Sequence, residues 1–129
     1  MAATKTSLSV GEIIHLVLTS DKEVMRLARK VYPIVSPESK LPYVVYRRTQ
    51  LEQYPVKTRI GADAVGIEIL CYTAQYTHGV ELAEAVRNAL DGKQAELDGL
   101  VMRSCTLADS EESWGDDAYV QQLIFNVKI

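Results

Sequence analysis

Few residues in this chain have types and spacing that suit chemistry. His15 and His78 are its two histidines. Neither has a Cys, Asp or Glu at the spacing that makes a metal site. His15 follows the apolar pair Ile13-Ile14, and His78 stands at the start of a helical stretch, so both read as structural or surface residues. Cys71 and Cys105 sit within apolar, strand-like runs and read as buried free thiols of a reducing compartment rather than a disulfide. Ser110, Glu111, Glu112, Asp116 and Asp117 gather a hydroxyl and carboxylates in one short stretch, with no base held beside them; the plainer reading is a solvated acidic loop. Arg47 and Arg48, next to Tyr43 and Tyr46, would suit a nucleic-acid backbone, yet paired arginines at a strand end are more often surface charges or interface partners. Trp114, the one tryptophan, stands in the acidic stretch beside Gly115. It is either a contact residue or folds back on the base of its own loop. No glycine-rich phosphate loop or nucleophile elbow is present. No catalytic residue, cofactor or metal is expected.

The elements that position these residues are legible from periodicity. Val65, Ile67, Ile69 and Cys71 alternate with Gly66, Glu68, Leu70 and Tyr72, the period of a strand with one buried face. A polar joint leads to Thr77, a candidate N-cap, and to a helix with Leu82, Ala85, Val86 and Ala89 on one side. Gly92 can take positive φ just past its end. Upstream, Ser9 with Glu12 and Ser20 with Glu23 each fit a capping box, predicting helices over 9–18 and from 20 onward. The second would bury Val24, Leu27, Ala28 and Val31, and carry Arg26, Arg29 and Lys30 near its C-terminus. Pro33 and Pro37 punctuate a short extended piece at Tyr32–Val35. Tyr43–Tyr46 opens a strand that continues into Arg47 and Arg48. Residues 50–64 are polar and mixed and read as a long loop or an irregular hairpin arm. Lys93–Asp98 reads as a turn, Leu100–Leu107 as a strand, and Asp109–Asp117 as the acidic loop. Tyr119–Ile129 is the final strand, paired antiparallel with Leu100–Leu107.

The expected fold is α+β: a mainly antiparallel sheet, one central helix packed on a face, and N-terminal helices. With 129 residues, 47% hydrophobic and 24% charged, the chain suits a single domain, with residues 1–7 a flexible lead. A net charge of -3 argues against a general electrostatic footprint for nucleic acid. No apolar run is long enough for a membrane span, and the N-terminus lacks the apolar core of a signal peptide, so a cytoplasmic protein is expected.

Three stretches together resemble a known family. They are Val31-Tyr32-Pro33, then Leu41-Pro42-Tyr43-Val44-Val45-Tyr46, then Ile67–Tyr72 followed by Glu81-Leu82-Ala83-Glu84-Ala85-Val86-Arg87-Asn88-Ala89-Leu90-Asp91-Gly92. The pattern is similar to the tail-completion, or tail-terminator, proteins of long-tailed bacteriophages and prophages, which open with a helix and close with two strands. The resemblance implies a structural protein that assembles with itself into a ring, typically of six, at the head-proximal end of the tail tube. The implied partners are the tail tube protein and the head–tail connector protein, with DNA only in transit and no membrane. The implied locations are the bacterial host cytoplasm during assembly and then the virion tail.

A ring needs one patch of each subunit to meet a different patch on the next. Two patches of opposite sign are available. One is Asp109, Glu111, Glu112, Asp116 and Asp117 around Trp114; the other is Arg47 and Arg48 with Lys57 and Arg59. The acidic residues could instead line a channel. Two other classes stay open: a small ligand-binding or enzymatic α+β domain, and an adaptor or antitoxin-like module that binds one protein partner.

Overall fold

Three helices lie on one face of a five-stranded sheet of order β1-β2-β3-β7-β6. The computed structural model describes residues 5–35, 40–56 and 59–129, with the side chains of 54–62 outside the description. Helix α1 is Val10–Ser20 and α2 is Lys22–Leu27. Strand β1, Lys30–Pro33, runs parallel to β2, Tyr43–Val56. Strand β3 is Arg59–Thr73, followed by α3, Tyr76–Leu90. A separate small hairpin, β4 (Ala95–Leu97) and β5 (Leu100–Met102), precedes β6 (Ser104–Gly115) and β7 (Ala118–Lys128). Every strand pair apart from β1 with β2 is antiparallel.

The period-2 pattern of β3 decides which face is buried. Val65, Ile67, Ile69 and Cys71 point to the helices, and β7 registers Val127, Phe125, Leu123 and Gln121 beside them. Leu82, Val86 and Leu90 of α3 close over this row, and Ile13, Ile14, Val17 and Leu18 of α1 pack alongside. The result is one contiguous core in which Phe125 is the largest fully buried side chain. Ile67, Ile69, Leu82, Val86, Ala89, Leu123, Phe125 and Val127 are all buried on this inner face. Cys71 and Cys105 are free thiols within this core, and burial pushes each thiol up to about 12.

The element order matches expectation with two further strands, β4 and the one made by splitting 100–107 into β5 and β6, and several boundaries move for local reasons. Ser9 makes no side-chain cap. Glu12 instead pairs with Lys5 Nζ at 3.1 Å, and a 3-10 turn at Ser7–Ser9, begun by Thr6 Oγ1, leads into α1. Ser20 is the last residue of α1, and Asp21 caps α2 by accepting from the Val24 amide at 3.0 Å. That helix ends at Leu27, so Arg29 is not helical and Lys30 and Val31 belong to β1. Gln75, not Thr77, occupies the N-cap position of α3; Thr77 falls inside the first turn, while Thr73 Oγ1 donates to the Gln75 carbonyl. Gly92 has φ +80 as expected, and its amide reaches Cys105 O.

The polar segments differ more. Residues 50–56 and 59–64 pair as the hairpin arm, with a register shift between Arg48 and Gln50 where Gly66 faces the sheet's open side. The stretch 93–98 holds β4, and Asp98 and Gly99, at φ 50 and 88, turn it into β5. The strand expected over Leu100–Leu107 is broken at Arg103 into β5 and β6. The acidic segment is not a loop: Asp109 to Gly115 is strand, and only Asp116 and Asp117, at φ 52 and 60, form the turn. Both turns have the positive φ pair of a type I′ hairpin, whose twist matches the flanking strands. Of the lead at 1–7, Lys5 to Ser7 are packed on the domain, with Ser7 buried and its hydroxyl donated to Asp63 Oδ2. Pro37 and Lys57 lie outside the described residues.

Phe125→Ala removes the largest core side chain from a fully closed site, and should cost about 3–5 kcal/mol. Denaturant titration checks it, and a loss under about 1 kcal/mol would show that β7 faces the other way. The two buried thiols set an alkaline limit. Their ordinary value is 9.0 and their folded value about 12, so the fold holds both protonated. Their contribution is complete below pH 9 and is lost as pH rises toward 12. The Cys71→Ala, Cys105→Ala double variant should show a flatter decline in melting temperature over that window; an unchanged slope would mean other groups dominate.

Candidate functional site: an aromatic hairpin and an open sheet face

The acidic and aromatic residues singled out from the sequence come together at one end of the sheet. The β6–β7 hairpin registers Trp114 with Tyr119 and Glu112 with Gln121. The indole packs edge-on against the Tyr119 ring at 4.7 Å, and Tyr119 meets Tyr76 at the start of α3 at 5.9 Å. Tyr76 Oη donates to Glu112 Oε2 at 3.0 Å, and Gln121 Nε2 donates to the same oxygen at 2.8 Å. The hydrogen bond to Glu112 raises the Tyr76 phenol above its ordinary value. The hairpin is thus tied to the helix layer by one carboxylate and a row of three rings. Trp114 nevertheless remains 58% exposed. It folds back on its own hairpin and still presents most of its surface to solvent. Asp116, Asp117 and Glu111 are exposed at and near the tip and make no ion pair among the described residues.

The other face of the sheet carries no helix. Tyr43 and Tyr72 stack across β2 and β3 at 4.7 Å, and Tyr32 of β1 meets Tyr43 edge-on at 6.1 Å. Desolvation raises the phenols of Tyr43 and Tyr72. Four residues back along β3 from Tyr72, Glu68 is only 8% exposed. Its oxygens are each taken: Arg47 Nε donates to Oε1 at 2.7 Å and Gln122 Nε2 to Oε2 at 2.6 Å. A buried carboxylate with both oxygens satisfied on an otherwise open face is a polar lock across β2, β3 and β7.

The cationic candidates therefore have separate surroundings. Arg47 is held by Glu68. Arg48 turns to the helix side and donates to Leu8 O at 3.3 Å. Arg59 begins β3, its side chain outside the description, as is Lys57 altogether. Arg47 and Arg48 lie near the middle of β2 and the acidic tip beyond the far end of β3, so among the described residues these arginines make no ion pair with the acidic patch. The histidines are structural. His78 Nε2 donates to Leu27 O at 2.7 Å, tying α3 to the end of α2. His15 packs against Tyr46 at 5.7 Å, its Nδ1 buried without a hydrogen-bond partner. Ser110 Oγ donates to Gln122 O and has no base beside it. Among the described residues no group of three or more His, Cys, Asp or Glu is placed to hold a metal, and no helix is long and apolar enough to cross a membrane. Glu68, Tyr76 and Tyr119 were not singled out in the sequence, because their roles depend on cross-strand register and on where α3 begins.

Comparison with known proteins agrees with this geometry. The model of the family "Tail completion protein gp17" matches residues 13–129. Among solved structures, one chain of the virion of a native gene transfer agent particle superposes with a TM-score of 0.72 at 20% identity, covering 89% of this chain and 90% of that one. The gp17 protein of bacteriophage SPP1 superposes with a TM-score of 0.65 at 14% identity, covering 94% and 88%. A search of curated proteins finds no match.

Arg47→Ala would leave Glu68 buried with one partner, and should destabilise the fold by about 1–3 kcal/mol, with Glu68→Gln in the same chain restoring part of it. Thermal or denaturant unfolding measures both. A cost near zero would mean that Arg47 is free to serve another partner. The match over residues 13–129 makes the chain a member of the tail completion protein gp17 family, a structural protein of phage tail joining.

Proposed function

We propose that this protein forms a ring, of six copies in the assembled tail, that caps the tail tube and joins it to the head. The observation that carries the reading is the family match over residues 13–129. The partners are further copies of this chain, the tail tube protein and the head–tail connector protein, with DNA passing through and no enzymatic turnover. Assembly takes place in the bacterial host cytoplasm and the ring stays in the virion tail.

The contact residues proposed are those at the two polar extensions of the sheet. The hairpin contributes Glu111, Glu112, Trp114, Asp116 and Asp117. The rigid ring-on-ring mounting of Trp114 supports its role, since a pre-ordered aromatic loses little freedom on binding. The opposite patch is the β2–β3 side with Arg47, Arg48, Lys57 and Arg59. Arg48 is the more available of the two central arginines, because Arg47 already neutralises Glu68. Complementary charge sets register and encounter rate more than affinity.

Native mass spectrometry of the purified chain, alone and mixed with purified tail tubes, tests the reading. A closed assembly of six, in solution or on tube ends, is expected, with no turnover in substrate profiling of the same preparation. A monomer that ignores tube ends and binds or converts a small molecule would overturn it.

A further inference from the structure

The open face of the sheet carries a trough of about 560 Å³ at the end away from the acidic hairpin. Its floor is Ala64 and Gly66 of β3, and its walls come from β2 on one side and from Asn126, Lys128 and Arg103 on the other. The floor is low because Gly66 has no side chain. A Cβ there would meet Thr49 Oγ1 at 2.7 Å across the bulge in β2. Of the trough's two acids, Glu52 accepts from Gln50 Nε2 at 3.1 Å, and Asp63 accepts from Ser7 through Oδ2 while its buried Oδ1 has no hydrogen-bond partner among the described residues. Among the described residues neither the Arg103 guanidinium nor the Lys128 ammonium is ion-paired.

We infer that this trough receives the Trp114 hairpin of a second copy of the chain, with Arg103 and Lys128 facing Asp116 and Asp117. The inference rests on the ring reading and names its contact. Three observations converge. The exposed indole is a large aromatic group packed against Tyr119, and the trough is a concave site whose floor carries only the small residues Ala64 and Gly66. Unpaired acids at the tip match unpaired bases at the rim. Finally, the two features lie at opposite ends of one sheet. Trp114 pairs with Tyr119, Tyr119 with Thr73, and Gly66 lies seven residues back along β3. At strand rise that separation is about 23 Å. The hairpin therefore cannot fill its own trough, and the contact is between copies, head to tail, the kind that closes rings.

The test is a disulfide trap in the full chain. Gly115→Cys is compatible with the hairpin, since a Cβ there meets nothing within 4 Å, and Asn126→Cys places the partner thiol on the trough wall. Cys71 and Cys105 are buried and remain silent. Oxidation of assembled rings should give a covalent ladder on a non-reducing denaturing gel with the double variant, and none with either single variant. Independently, Arg103→Glu with Lys128→Glu should raise the concentration for half-assembly at least tenfold, and Asp116→Lys with Asp117→Lys in the same chain should recover part of it. Rings that form at the wild-type concentration in the charge-reversed variant, and that give no ladder when trapped, would overturn this contact and leave the ring reading standing. If the wild-type chain forms no ring even on tube ends, both fall.

Discussion

A mismatch of lengths between strands and helices governs the structure. Strands β2, β3, β6 and β7 are 14, 15, 12 and 11 residues long. At strand rise they reach about 36–50 Å. Helix α3 has 15 residues, which at helical rise is about 22 Å. The helices can therefore cover only the middle of one face. The sheet must overhang at both ends, as the β2–β3 arm on one side and the Trp114 hairpin on the other. The core is complete where the two layers overlap, and beyond it residues 108–117 are exposed.

That geometry explains which parts of the fold were legible in the sequence. Where a strand lies under α3, one face is dry, and the alternation of Val65, Ile67, Ile69 and Cys71 announces both the strand and its buried side. The overhangs have no dry face, so no alternation is imposed on them. Asp109 to Ser113 has the composition of a loop, and is a strand because β7 supplies a full ladder of partners. The β4–β5 hairpin carried a usable signal in Asp98-Gly99, but strands of three residues are too short for periodicity to register. Helix starts were misplaced because several Ser, Thr and Asp residues compete to cap. The choice was made by tertiary contacts, such as Tyr76 against Tyr119, that no local window contains.

The candidate surfaces follow the same division. The acidic residues and Trp114 were visible as residue types, while their support was not: Tyr76, Gln121 and Tyr119 meet them only through register. Arg47 shows the converse. It looked like one half of a cationic patch, yet β2–β3 pairing sets it against Glu68, where it completes a buried polar lock. The β6–β7 extension is one that the core does not need for burial, and hydrogen bonds and ring contacts hold it in place.

Hydrogen–deuterium exchange, read residue by residue on the free chain and on the chain assembled at tube ends, tests this division most directly. Amides of the β6–β7 tip, from Asp109 to Tyr119, should gain strong protection on assembly, while those of β3 and β7 beneath α3 should be protected equally in both states. Tip amides that exchange at the same rate free and assembled would contradict the account, since the overhang would then have no partner in the tail.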